Sequence, residues 1–202
     1  MTQREIALPI SEEIARSLRV GDTVYVSGTV FTARDAAHVL LLKQQADGTA
    51  PVLDMSGLAV YHCGPVMRRG DTGWKVLSAG PTTSMRMEEL EARFITTFHP
   101  RIIIGKGGMG QKTKSALACE GAVYAHYTGG AGALAAQAVE SVGGVFFLQE
   151  LGMAEAVWVF LMRRFGPLLI TMDSMGEDMY ADVEHVVTSN QTRIATKIKR
   201  GL

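Results

Sequence analysis

Cysteine is nearly absent: Cys63 and Cys119 are the only two in 202 residues. Two thiols make neither a disulfide framework nor a self-contained metal-cluster site, so a cluster serving this chain would have to be held by another. Net charge is absent as well, with 20 basic residues against 20 acidic ones. A neutral chain has no general field for nucleic acid or an anionic membrane surface, and any anion must meet a local group of cations. Long apolar runs are missing; Val39–Leu42 and Gly144–Leu148 fall far short of the roughly 20 residues that span a bilayer, which predicts no membrane crossing. The opening MTQREIALPI carries charges where a secretory signal needs its apolar run, and this predicts a cytoplasmic protein. Internal repeats, low-complexity tracts and interdomain linkers are not found either.

What is present is an ordinary globular composition, 47% apolar and 20% charged, over a length that suits a single domain across residues 1–202. Thr23–Phe31 (TVYVSGTVF) is rich in β-branched and aromatic residues behind a Gly21-Asp22 turn and predicts a strand. Asp35–Gln45, free of Gly and Pro, predicts the helix after it. Short apolar runs at Leu58–Tyr61 and Lys75–Ala79 end at Gly64-Pro65 and Gly80-Pro81 and predict strands running into loops. Met87, Leu90, Phe94 and Ile95 recur at helical spacing, with Glu88 and Glu89 in the early turns, so 85–98 predicts an amphipathic helix. Ile102–Ile104, the glycine loop Gly105–Gly110 and Gln111–Cys119 form a strand, loop and helix unit. Ala122–Ala125 predicts a strand, Ala131–Val139 a helix, and Val142–Leu148, Val157–Met162 and Leu168–Met172 further strands. The first half is richer in strands and the second alternates strands with helices, so the class is α/β, a layered mixed sheet with helices. The polar tail Tyr180–Lys199 leans towards helix.

Candidate chemistry is concentrated at strand-to-helix junctions. In Arg34-Asp35-Ala36-Ala37-His38, Arg34 projects from a strand end, where α/β folds commonly place ligand groups, and His38 follows Asp35 on nearly the same helix face. The plainer alternative makes Arg34 and Asp35 surface charges and His38 a core-edge residue bonded to a carbonyl. Gly80-Pro81-Thr82-Thr83-Ser84-Met85-Arg86 sets hydroxyls and an arginine at a helix start, where free N–H groups attract an anion and Arg86 can grip a carboxylate with two bonds. Alternatively, Thr83 or Ser84 merely caps that helix. Lys106 stands among Gly105, Gly107, Gly108 and Gly110, which let a ligand approach the backbone. No Ser or Thr follows Lys106, so the loop is not a P-loop. Gly105, Gly107 and Gly110 do fit Gly-x-Gly-x-x-Gly, a weak match that keeps a nucleotide-binding reading open. Arg34, Arg86 and Lys106, if they converge, suit a small dianion. His62, Cys63, His99 and His126 show no metal-ligand spacing and read as core or surface residues.

In order along the chain, FTARDAAH, YHCGP, SAGPTTSMRM, IIGKGGMG, TGGAGALAA, ELGMAEAVW and FGPLLITMD resemble the β subunits of two-subunit class I fumarases and the related L-tartrate dehydratases, from about Val20 to Met175. The resemblance implies a swivelling β/β/α domain docked on an α subunit whose three cysteines hold a four-iron, four-sulfur cluster with one iron open to substrate. It implies the reversible hydration of fumarate to (S)-malate by a hetero-oligomer. Carried over by motif, Arg34, Arg86 and Lys106 hold carboxylate and hydroxyl groups of the dicarboxylate, with His38 among the substrate-binding residues, and Thr82 is the proton-abstracting hydroxyl. GPTTSMRM and GKGGMG occur on both sides of the family, whereas FTARDAAH, YHCGP and TGGAGALAA look more like the fumarase side, so fumarate is expected ahead of L-tartrate. Residues 180–202 read as a C-terminal extension beyond the resemblance. From a different class, the alternative is a non-catalytic module that senses a dicarboxylate or nucleotide.

Overall fold

The computed structural model describes residues 3–49, 53–71 and 73–199; the last residues of the expected extension, 200–202, lie outside them. The chain begins with β1 (Gln3–Ala7), α1 (Glu12–Arg16), β2 (Thr23–Thr32), α2 (Asp35–Ala46), β3 (Ala59–Tyr61), β4 (Val66–Gly70) and β5 (Gly73–Ser78). A 3-10 turn (Ser84–Met87) runs into α3 (Glu88–Phe98), followed by β6 (Ile102–Gly105), α4 (Gln111–Glu120), β7 (Val123–His126) and α5 (Gly132–Gln137). The chain then forms β8 (Val139–Phe146), α6 (Leu148–Leu151), β9 (Val157–Met172) and α7 (Met179–Lys199). This is the mixed α/β class expected from the sequence, and the polar tail is helical. Among the described residues no helix is long and apolar enough to cross a membrane.

The expected strands Val157–Met162 and Leu168–Met172 are one, because β9 continues through the residues between them for 16 residues. Phe165 stays paired opposite Val26, with register shifts on either side; such irregularities accommodate a proline, here Pro167, that cannot donate to the ladder. The strands β1 and β4 and the short helices α1 and α6 were not anticipated. In α1 the start is set by Ser11, whose hydroxyl accepts the Ile14 N–H at 3.3 Å, the ordinary N-cap bond.

Strand order in the main sheet is β1-β2-β3-β6-β7-β9-β8. The first five strands in that order are mutually parallel, whereas β9 is antiparallel to β7, β8 and β2. Because β9 pairs with both β7 and β2, the path β2-β3-β6-β7-β9 closes into a ring. Alternation along each strand divides the core in two. Val26, Tyr61, Ile104, Ala125, Phe165 and Ile170 belong to one cluster. Val60, Ile103 and Tyr124, their neighbours on the strands, pack with Leu41 of α2, Phe94 and Ile95 of α3 and Leu117 of α4 in the other. Strands buried on both faces read as unbroken apolar runs, as Ile102–Ile104 does.

Candidate active site

Parallel pairing makes β2, β3 and β6 finish side by side, with Thr32 opposite Tyr61 and Tyr61 opposite Ile104. The residues that follow, Arg34, His62 and Lys106, therefore emerge at one end of the ring, the position at which open α/β sheets bind ligands. The loop between β5 and α3 folds onto the same end. Thr82 donates its N–H to the His62 carbonyl at 2.7 Å, and Ser84 donates its N–H to the Lys106 carbonyl at 3.0 Å. Thr83 forms a parallel bridge with Lys106. The fold thus gathers the three segments singled out in the sequence.

The cations differ in how they are held. Arg34 pairs with Glu155 at 3.0 Å and passes close over Gly64, where an added Cβ would lie 2.5 Å from its Nη1. Arg86 pairs with Asp35, and the two side chains are 53% and 33% exposed. An ion pair this open to water contributes little and exchanges readily for an incoming anion. Lys106 lies along the Gly129 backbone, where an added Cβ would come within 2.9 Å of its Cδ. Thr82 is partly exposed and Ser84 buried. Neither hydroxyl residue proposed as a cap fills that role: Thr83, at the N-cap, makes no side-chain capping bond, and the Ser84 hydroxyl turns inward.

His38, expected among the substrate-binding residues, has no exposure at all. Its place is beneath the site, where it and His62 flank the buried Glu91. Their Nε2 atoms lie 3.2 and 3.0 Å from Glu91 Oε2. His38 Nδ1 bonds the Arg34 carbonyl at 2.8 Å and His62 Nδ1 the Ser84 hydroxyl at 2.9 Å. Ser84 Oγ also accepts the Lys106 N–H at 3.2 Å and lies 2.8 Å from the Tyr124 hydroxyl. Burial alone would lower the His38 pKa, but the Glu91 charge and the Arg34 carbonyl outweigh it and raise the value. For Glu91, burial pushes upward and the facing His62 and His38 outweigh it, holding the carboxyl well below the usual range. His62 thus has partners that sequence spacing did not show: ligand atoms of His38, His62 and Glu91 all lie within 4.8 Å of one another. A usable signal did exist, since Glu91 falls between Met87, Phe94 and Ile95 on the apolar face of α3.

The glycine loop has its own anchor. Glu88 accepts the N–H groups of Gly110 at 2.7 Å, Lys112 at 2.9 Å and Thr113 at 3.3 Å, and the Thr113 hydroxyl at 2.6 Å. A carboxylate already fills the start of α4, where a dinucleotide phosphate would have to sit; this counts against the nucleotide reading. On the other flank, His126 Nδ1 accepts the Gly107 N–H at 3.3 Å and lies 3.0 Å from the Tyr180 hydroxyl. The two cysteines do not fit a cluster site. Cys63 is buried and Cys119 exposed, and burial pushes the Cys63 thiol up despite the opposing Arg34 charge, so it stays protonated.

Cations and a threonine are gathered on loops over the ends of parallel strands of an α/β domain, an arrangement chemically suited to receive an anion. The chain belongs to the family described as Fumarase C-terminus, whose profile matches residues 2–183. It is 39% identical over 178 residues to the "Putative L(+)-tartrate dehydratase subunit beta" of Methanocaldococcus jannaschii, covering 88% of this chain and 91% of that one. Similarity to the "L(+)-tartrate dehydratase subunit beta" of Escherichia coli (strain K12) is 35% over 194 residues, 96% of this chain and 94% of the relative. The "Putative fumarate hydratase class I" of Geobacillus stearothermophilus is 45% identical over 177 residues, 87% of this chain but only 33% of that longer protein. The chain is therefore of the β-subunit type within the class I fumarase and L-tartrate dehydratase family.

Proposed function

We propose that this chain is the β subunit of an iron–sulfur-dependent fumarate hydratase, interconverting fumarate and (S)-malate in a site completed by an α subunit. The observation that carries the reading is the bonding of the Thr82–Arg86 loop to Lys106 and His62, next to Arg34. In this reading the four-iron, four-sulfur cluster belongs to the α subunit, since the cysteines here cannot hold it.

In the dehydration direction the Thr82 oxygen takes a proton from the carbon beside a carboxylate. The electron pair forms the double bond as the C–O bond on the adjacent carbon breaks, and the hydroxide set free becomes water by taking a proton, which the Thr82 hydroxyl gives up in regaining its ionised form. Negative charge builds on the carboxylate as the proton departs, and fixed cations stabilise it without reorganising. Arg86 supplies the two-bond grip, with its Asp35 partner exchanged for substrate; Arg34 and Lys106 hold the remaining carboxylate and hydroxyl groups. A threonine hydroxyl is a weak base, and in this reading the charge of Lys106, whose backbone is bridged to the adjacent Thr83, favours its ionised form.

Fumarate is supported by the 45% identity to the fumarate hydratase relative. A second reading, L-tartrate, is supported by the relatives that match along nearly their whole length as separate β subunits. Anaerobic co-expression with the α subunit, followed by steady-state kinetics on (S)-malate, fumarate and L-tartrate, decides between them. A larger kcat/KM for (S)-malate is expected. A larger value for L-tartrate transfers the assignment to the second reading, and a complex inactive on all three overturns both.

A further inference from the structure

We infer that Glu91 is a positioning residue whose buried carboxylate, clasped between His38 and His62, fixes the loops of the site relative to one another and so places Thr82. For its kinetic arm this rests on the role proposed for Thr82; for the rest it rests on geometry. Both imidazoles that face Glu91 lead on to a site loop. Through His38 it reaches the Arg34 carbonyl. Through His62 it reaches both the Ser84 hydroxyl, which in turn takes the Lys106 N–H, and, by the His62 carbonyl, the Thr82 N–H. Glu91 thus joins the ends of β2, β3 and β6 and the β5–α3 loop from below, without touching the open face of the site.

A carboxylate with no exposure is costly to bury, and a well-packed apolar side chain at the same point of α3 would commonly stabilise the fold as well or better. What the apolar residue could not do is attract the imidazoles on both sides. The chemistry of the donors fixes the protons. A carbonyl only accepts, so His38 Nδ1 carries hydrogen; an added proton on His38 Nε2 makes the imidazolium that neutralises Glu91. Ser84 Oγ already accepts from the Lys106 N–H and the Tyr124 hydroxyl, so its own proton is free to point at His62 Nδ1, which leaves the His62 Nε2–H facing the same carboxylate. The Nε2 atoms are at ion-pair distance from Glu91 yet make no aligned hydrogen bond, so His38 is drawn to the carboxylate by its charge and His62 by its N–H dipole. A metal ion on the three ligand atoms is the competing arrangement. Closed structural metal sites commonly take four protein ligands, and this cluster offers three residues.

The test uses the full chain with Glu91→Gln, which keeps shape and removes charge, and Glu91→Asp, which keeps charge. Hydrogen exchange should quicken by about tenfold or more at the Thr82, Ser84 and Lys106 amides in Glu91→Gln, with little change at Ile103 and Val123, and Glu91→Asp should recover part of the protection. In the reconstituted complex kcat should fall by about tenfold or more, while KM moves by less than about threefold because Arg34 keeps its own anchor at Glu155. Unchanged exchange at the loop amides, or equal quickening throughout the core, overturns the inference. So does a stoichiometric metal in the purified wild-type chain that is lost in Glu91→Gln. If Glu91→Gln does not fold, His38→Gln is read at the same amides. An inactive wild-type complex counts against the proposed reaction only, because the exchange measurement still decides whether Glu91 places the loop.

Discussion

Arg86 and Glu91 stand on the same 3-10 turn and helix, yet they carry opposite demands. Arg86 is half open to water on a replaceable partner, so in the reconstituted complex Arg86→Ala should lower kcat/KM about 30-fold to 1,000-fold, on the order of 2–4 kcal/mol. Arg86→Lys should rescue it poorly, since an ammonium lacks the planar fork, and urea unfolding of both variants should stay within about 0.5 kcal/mol of wild type. Glu91 is sealed, and its worth is in stability as well as placement. Its depressed pKa contributes stability that is present above the unfolded value of about 4.3 and lost as pH falls through the folded one. The raised pKa of His38 contributes stability that is present below about 6.5 and lost as pH rises through its folded value. The stability difference between wild type and Glu91→Gln should therefore be largest between about pH 4.3 and 6.5, near 3 kcal/mol. A difference that is flat with pH in urea titrations would contradict the charged pair. Gly105 is constrained by close approach: an added Cβ would meet Ser84 Oγ at 1.8 Å and the Tyr124 hydroxyl at 2.8 Å. Gly105→Ala should cost about 1–3 kcal/mol, read by thermal unfolding. At this scale the meeting of the segments that carry Arg34, Thr82, Arg86 and Lys106 was legible because polar and charged types at strand ends stand out. The partners of Glu91 were not, because they are remote in sequence and meet only once the strands are in register.

Among the elements, α4 shows how one side chain can set a boundary. With no capping side chain at Gly110, the helix borrows Glu88 from α3. Glu88→Ala should cost about 2 kcal/mol, as measured by chemical denaturation, since it removes a charged acceptor from several backbone donors at once. Glu89, which pairs with Lys112 at the surface, should cost far less on the same substitution. Strands made of β-branched and aromatic residues, such as β2 and β6, were plain in the sequence, and so was the amphipathic pattern of α3. The polar run QREIA of β1 was not, because an edge strand with one buried residue has no apolar period to read. The unity of β9 was hidden for another reason: Gly166-Pro167 punctuates the sequence as a turn would, and only the ladder with β2 carries the strand through it.

For the molecule as a whole, α7 is the element within which the family profile ends. The family profile stops at residue 183, and beyond it α7 exposes Val186, Val187, Ile194 and Ile198. In its first turn Tyr180 reaches the flank of the site, 3.0 Å from His126 Nδ1. Truncation after Glu184 should leave unfolding free energy within about 1 kcal/mol, whereas truncation before Tyr180 should quicken exchange at the Gly107 amide. The order of events during synthesis follows from the ring. β2 is made early, yet its partners on β9, from Val159 to Leu169, leave the ribosome only after most of the chain. Closure must wait for them, and contacts this distant in sequence form slowly. A nascent chain that stalled before β9 would display β2 and β7 as open edges, the kind of surface that chaperones exist to cover and that pairs with strangers when left bare.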